Sequence, residues 1–104
     1  MMRSKIKIGP LAENFIRALS PEPRRALRRR IKGLEKDEGD IKQLEGRLAG
    51  YSRLRVGRLR LVFKVESVRG ERVIFCVYVN FRPVIYELFE QLLASGLIEE
   101  LTQN

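Results

Sequence analysis

The clearest pattern of polar and apolar positions in the chain is an alternation that runs from Tyr51 to Val65. Basic residues alternate with leucine, valine and phenylalanine on both sides of Gly57, which predicts two strands that each have a polar and an apolar face. A two-residue turn beginning at Gly57 would pair Arg55 with Arg60 and bring the basic positions onto one face of a hairpin. Because two arginines directly opposite each other repel, this arrangement indicates a face that binds an anion.

The rest of the pattern predicts a small domain of the α+β class. Apolar residues at helical spacing, prolines in a first turn and two further apolar strands give the order β-α-α-β-β-β-α. The predicted sheet is twisted and mostly antiparallel, with about four strands, and the helices pack on one side of it. Residues 41–49 are interpreted as a loop or a short turn of helix. The predicted elements outside the hairpin are a strand over Ser4–Ile8, helices over Leu11–Leu19 and from Ser20 to about Lys36, a central strand over Arg72–Asn80 and a last helix from Pro83 to about Ala94.

The length of the chain predicts the number of domains, and its charge favours one class of partner. The chain has 104 residues and no linker-like segment, so we expect one domain spanning residues 1–104. Lysine and arginine number 21 against 13 acidic residues, which gives a formal net charge of +8. This balance favours a polyanionic partner, either nucleic acid or an acidic protein antagonist.

Other features of the composition make several classes of protein improbable. The chain has no histidine and the single cysteine Cys76, so we expect no zinc site, no other metal and no cofactor. Any catalysis would have to proceed without imidazole. No apolar run reaches about 18 residues and no signal peptide is found, so we expect a cytoplasmic protein that does not bind membranes.

A resemblance to a known family includes the hairpin and spans roughly Leu44 to Tyr86. The chain resembles the RelE/ParE toxin superfamily of type II toxin–antitoxin systems, and within it the RelE-like members more closely. The family pattern is a leucine-glycine lead-in, a hairpin of the form RLR-x-G-x-x-R-x-x-(Y/F)-x-V, and a closing strand followed by R-x-x-x-Y. The matching segments are LEGRLAGYSRLRVGRLRLVFKV and FRPVIY. The resemblance implies a RelE-like fold.

The resemblance also implies roles for individual residues. Arg60 matches the arginine that contacts the scissile phosphate in RelE-like nucleases. Arg82 and Tyr86 match a terminal arginine and tyrosine that some members use in catalysis. The positions implied to bind RNA or its phosphates are Tyr51, Arg53, Arg55, Arg58 and Lys64. The implied partners are mRNA on the ribosome and a cognate antitoxin, with which the toxin would form a hetero-oligomer.

The implied reaction is a metal-free transfer of RNA phosphate, in which a ribose 2′-OH attacks its own 3′-phosphate. Such a reaction needs a base for the 2′-OH, cations for the charge that develops on the phosphate, and a proton for the leaving 5′-oxygen. Tyr86 is the candidate base, and neighbouring guanidinium groups would stabilise its phenolate form. Arginine is a poor proton donor, so protonation of the leaving group is the weakest part of this scheme.

Two functions remain open from the sequence. One is a ribosome-dependent mRNA endoribonuclease that inhibits translation. The other is a non-enzymatic binder, either a ParE-like inhibitor of DNA gyrase or a toxin-like protein that has lost catalysis. Arg60 together with Arg82 and Tyr86 favours the first, whereas the absence of histidine and of the lysines that RelE-like nucleases carry favours the second. The hairpin arginines would alternatively be a solvated face of the sheet.

Overall fold

The computed structural model describes residues 4–81 and 85–96. This part of the chain forms five strands and three helices, with short 3-10 helices on either side of the second strand. The elements are β1 (Ser4–Ile8), α1 (Pro10–Ala18), α2 (Pro21–Gly33), β2 (Asp40–Gln43), β3 (Ser52–Val56), β4 (Leu59–Val68), β5 (Glu71–Phe81) and α3 (Ile85–Ala94), and the 3-10 helices are Leu34–Lys36 and Gly46–Leu48. The predicted α+β class is confirmed.

The strands form one sheet in the order β1-β5-β4-β3-β2. β1 pairs with β5 in parallel, and the other neighbouring strands pair antiparallel, which agrees with the predicted mostly antiparallel sheet. The described sheet has five strands rather than about four, because part of the segment interpreted as a loop is the edge strand β2. This strand has four residues and one apolar position, Ile41, which is too short for alternation to reveal it.

Helices cover both faces of the sheet, so the prediction that they pack on one side is wrong. On one face α1 and α2 pack Ile16 and Leu27 into a cluster that includes Leu61. On the other face α3 packs Phe89 against Val62, together with residues of β5 and of the loop before β3. The physical reason is that β5 is apolar on both of its faces, and each face has to be removed from water.

β5 contains a bulge that changes which of its residues face each side of the sheet. Ile74 and Cys76 point toward α1 and α2, and after one extra residue Val79 does the same. Val77 and Tyr78 are consecutive but both pack in the cluster on the α3 side, and the pairing with β4 shifts at this point. One additional residue therefore reverses the phase of the in–out alternation within the strand.

The hairpin of β3 and β4 has the predicted register. Arg55 lies opposite Arg60, and Leu54 lies opposite Leu61. Gly57 has a φ of 59°, whereas Arg58 is not among the residues with positive φ, which is the pattern of a turn with glycine in its first central position. The basic side chains consequently share the sheet face that α3 partly covers.

Gly39, which leads into β2, can be tested as a position that only glycine tolerates. Its φ is +118°, and an added Cβ would lie 2.7 Å from Cδ1 of Leu54 in the core. We expect Gly39→Ala to lower the free energy of unfolding by about 1–3 kcal/mol, because strain and overlap add. The matched control is Gly70→Ala, where φ is +81° but the space is open. Equal losses in urea denaturation would contradict the role of Leu54.

Candidate functional site

An open cleft of about 300 Å³ lies on the α3 side of the sheet, over β2 and the hairpin of β3 and β4. The described residues that line it come from β2, the loop after β2, the two hairpin strands and the first turn of α3. They are Lys42, Gln43, Leu44, Glu45, Arg53, Arg55, Arg60 and Tyr86. Four of the residues predicted for the site are therefore together in one cleft, with four cationic side chains against one carboxylate.

Arg60 is the most deeply placed of these cations, with 5% of its surface exposed. Its Nη1 donates hydrogen bonds to the carbonyl oxygens of Gly57, at 2.8 Å, and of Leu59, at 3.0 Å. These bonds hold the guanidinium beside the hairpin turn and compensate part of the cost of burying a charge. Arg60 is thus a structural element of the hairpin as well as a lining residue of the cleft.

The two arginines on β3 differ in how strongly they are held. The Nη1 of Arg53 lies 3.1 Å from Oδ1 of Asp40 and also donates to the backbone carbonyl of Asp40 at 2.9 Å. Arg53 is consequently oriented by the edge strand, and its side chain is 16% exposed. Arg55 is exposed and has no hydrogen bond or ion pair with a described residue, so it can turn toward an anion with little loss of other contacts.

Tyr51 and Lys64 are not among the described residues that line this cleft. The Tyr51 ring packs edge-on against Phe89, with centroids 5.0 Å apart, and the Lys64 ammonium lies 5.7 Å from the Tyr51 ring centroid. Lys64 also forms an ion pair with Glu66 at 2.7 Å. These contacts make Tyr51 part of the α3 cluster, so its predicted contact with RNA stays a prediction that the structure does not require.

The remaining predicted residues fall elsewhere. Arg58 is exposed at the hairpin turn and lines a separate, largely apolar groove with Leu19 and Phe81, so the structure does not bring it to the cleft. Arg82 lies outside the described residues. Tyr86 is half-buried and packs in the α3 cluster, and the same residue also lines the cleft.

Lys42 is the cationic residue that the sequence analysis missed. It lies opposite Arg53 in the pairing of β2 with β3, it is exposed, and it lines the cleft. The available signal was the sequence DIKQ, in which polar residues flank Ile41. Four residues are too few to distinguish a strand from a polar loop.

The described residues offer little other catalytic chemistry. Residues 4–81 and 85–96 contain no group of three or more His, Cys, Asp or Glu side chains that could hold a metal ion. Burial raises the pKa of the Cys76 thiol to about 12, and Cys76 packs on the opposite face of the sheet from the cleft, so it does not supply a thiolate nucleophile. Among the helices that the structure describes, none is long and apolar enough to cross a membrane.

The cleft therefore has the charge and the geometry to bind an anion in front of two strands. Guanidinium groups make paired, charge-assisted hydrogen bonds with phosphate oxygens, and Arg55 and Arg60 are direct neighbours across the hairpin. An anion between them would replace their mutual repulsion by attraction. Tyr86 is the residue that α3 contributes to the lining.

Comparison with known proteins identifies the fold. No protein-family model matches the chain, and no curated protein sequence matches it. Among solved structures it is similar to a double mutant of the E. coli toxin RelE in the free state, with 15% identity and a TM-score of 0.68 over 90% of this chain and 98% of that one. It is also similar to a chain of the RelBE2 toxin–antitoxin complex from Mycobacterium tuberculosis, with 20% identity and a TM-score of 0.67 over 78% of this chain and 100% of that one.

A third similar structure comes from an archaeon. A chain of the RelE–RelB complex from Pyrococcus horikoshii is 22% identical, with a TM-score of 0.63 over 79% of this chain and 98% of that one. The protein thus has the fold of the RelE and ParE toxins, as the sequence resemblance implied.

The two paired arginines should respond differently to removal. We expect Arg60→Ala to lower the free energy of unfolding by about 1–3 kcal/mol, because it leaves two turn carbonyls without their donor and opens a buried site. Arg55→Ala should change it by less than about 0.5 kcal/mol, because Arg55 is exposed. Parallel urea titrations measure both values. Equal effects of the two substitutions would show that the Arg60 hydrogen bonds do not stabilise the hairpin.

Proposed function

We propose that this protein is the toxin of a toxin–antitoxin system and that it inhibits translation as a ribosome-dependent mRNA endoribonuclease. The observation that supports this most directly is that Arg53, Arg55, Arg60 and Tyr86 line one cleft in a protein with the RelE/ParE toxin fold. Residues 1–104 would act as a single domain in the cytoplasm.

The reaction would use the geometry of the hairpin. An mRNA phosphate binds between Arg55 and Arg60, with Arg53 held alongside by Asp40. The ribose 2′-OH attacks the adjacent phosphorus while Tyr86 takes its proton, and the arginines stabilise the negative charge of the pentacoordinate state. The bond from phosphorus to the 5′-oxygen breaks, which leaves a 2′,3′-cyclic phosphate and a 5′-hydroxyl.

A cognate antitoxin is part of the proposal. One similar structure is a chain of a toxin–antitoxin complex and another is a chain of a RelE–RelB complex, and the net charge of +8 suits an acidic partner. An acidic segment that covers the cleft would neutralise its four cations and exclude mRNA. We therefore expect the protein to form a hetero-oligomer with this antitoxin.

Tyr86→Phe tests the proposed base while preserving the ring that packs in the α3 cluster. Single-turnover cleavage on programmed ribosomes should slow by about 10²–10⁴-fold, the range typical of a lost general base, and ribosome binding should be retained. Cleavage at the wild-type rate would assign Tyr86 to packing alone.

Primer extension on mRNA after induced expression tests the proposed function itself. We expect new 5′ ends within translated reading frames for the wild-type protein and not for Arg55→Ala, which removes a cleft cation at little cost to the fold. The absence of such ends for the wild-type protein, with induction of the DNA-damage response, would instead indicate inhibition of DNA gyrase.

A further inference from the structure

The proposed reaction also needs a proton donor for the leaving 5′-oxygen. Few of the described residues that line the cleft can donate one. Arginine side chains stay protonated in proteins and cannot give up a proton. An ionised carboxylate such as Glu45 only accepts hydrogen bonds, and Gln43 and Leu44 do not titrate. With Tyr86 as the base, Lys42 is the remaining proton donor among the described residues that line the cleft.

The position of Lys42 fits this role. The strand order includes β5-β4-β3-β2, and Tyr86 belongs to α3, whose main contact with the sheet is with β5. Lys42 is on β2, at the opposite edge, about 10 Å from β4 at the usual strand spacing. The arginines of β3 and β4 therefore lie between Tyr86 and Lys42, and a long side chain from each side can reach a phosphate held in the middle.

An in-line displacement requires this kind of separation. The attacking 2′-oxygen and the leaving 5′-oxygen lie on opposite sides of the phosphorus, so the base and the acid must approach from opposite directions. Lys42 is also uncommitted within the described residues, because it has no hydrogen bond or ion pair there. In contrast, Arg53 is bound to Asp40 and Lys64 is bound to Glu66.

We propose that Lys42 is a further catalytic residue, the general acid that protonates the 5′-oxygen as the phosphorus–oxygen bond breaks. This inference rests on the proposed nuclease function. The ammonium of Lys42 gives one proton to the 5′-oxygen, while the phenolate of Tyr86 takes one proton from the 2′-OH. Charge and protons balance, and the two side chains return to their starting forms by exchange with solvent.

Replacement of the leaving oxygen by sulfur tests the role of Lys42 directly. The wild-type cleavage site is mapped first, and an mRNA with a single 5′-bridging sulfur at that bond is then bound to ribosomes. A thiolate leaves without protonation, because thiols are far more acidic than alcohols. Lys42→Ala should slow cleavage of the normal mRNA by about 10²–10⁴-fold and cleavage of the sulfur-substituted mRNA by less than about 10-fold.

Two further variants separate proton donation from charge. Lys42→Arg keeps the positive charge but cannot donate its proton, so it should resemble Lys42→Ala on the normal mRNA and the wild type on the sulfur-substituted mRNA. Lys36→Gln is the control for loss of one positive charge, because Lys36 is exposed in the 3-10 helix after α2, outside the cleft lining. It should cleave both substrates at the wild-type rate.

The outcomes distinguish this inference from the proposed function. Equal slowing of both substrates by Lys42→Ala, or near wild-type cleavage of the normal mRNA by Lys42→Arg, would mean that Lys42 supplies only charge. Either result overturns the role of Lys42 and leaves the nuclease function intact. If the wild-type protein cleaves neither substrate, the proposed nuclease function is overturned, and the role of Lys42 with it.

Discussion

Burial of β5 on both faces is the constraint on which the rest of the structure depends. This strand pairs with β1 on one side and β4 on the other, and its side chains enter both apolar clusters. Ordinary alternation sends side chains of β5 to both faces, and the bulge at Val77 shifts the phase of that alternation within the strand. With both faces of β5 covered by helices, the strands beyond it extend the sheet and form the floor of the cleft.

The position of the cationic cleft follows from that arrangement. The main contact of α3 with the sheet is with β5, and the face of the sheet at Arg53 and Arg55 stays open beside the helix as part of the cleft. Alternation along the hairpin then directs Arg53 and Arg55 to the open face. The cleft is therefore built from ordinary strand geometry, and it differs from a plain sheet face because the first turn of α3 adds Tyr86 to its lining.

Local patterns predicted much of this structure, and the failures have physical causes. The hairpin register was predictable because a slip of one residue would have buried arginines and exposed leucines. β2 was not predictable, because a four-residue edge strand with a single apolar position carries no periodicity. Lys42 lies on this strand and was therefore not predicted as a residue of the site. The sequence also did not predict which face of the sheet α3 covers. A strand that is apolar on both faces, such as β5, does not indicate which helices pack on which face.

Arg60 both lines the cleft and stabilises the hairpin turn, and this affects how active members can be recognised among proteins of this fold. Its guanidinium lines the cleft and also holds the carbonyls of the hairpin turn, so selection for a stable hairpin alone would retain it. Arg55 has no such second role. Under the proposed nuclease function, a descendant that had lost its activity would therefore keep Arg60 and drift at Arg55 first. In a related sequence of unknown activity, the residue opposite Arg60 is the more informative one to inspect.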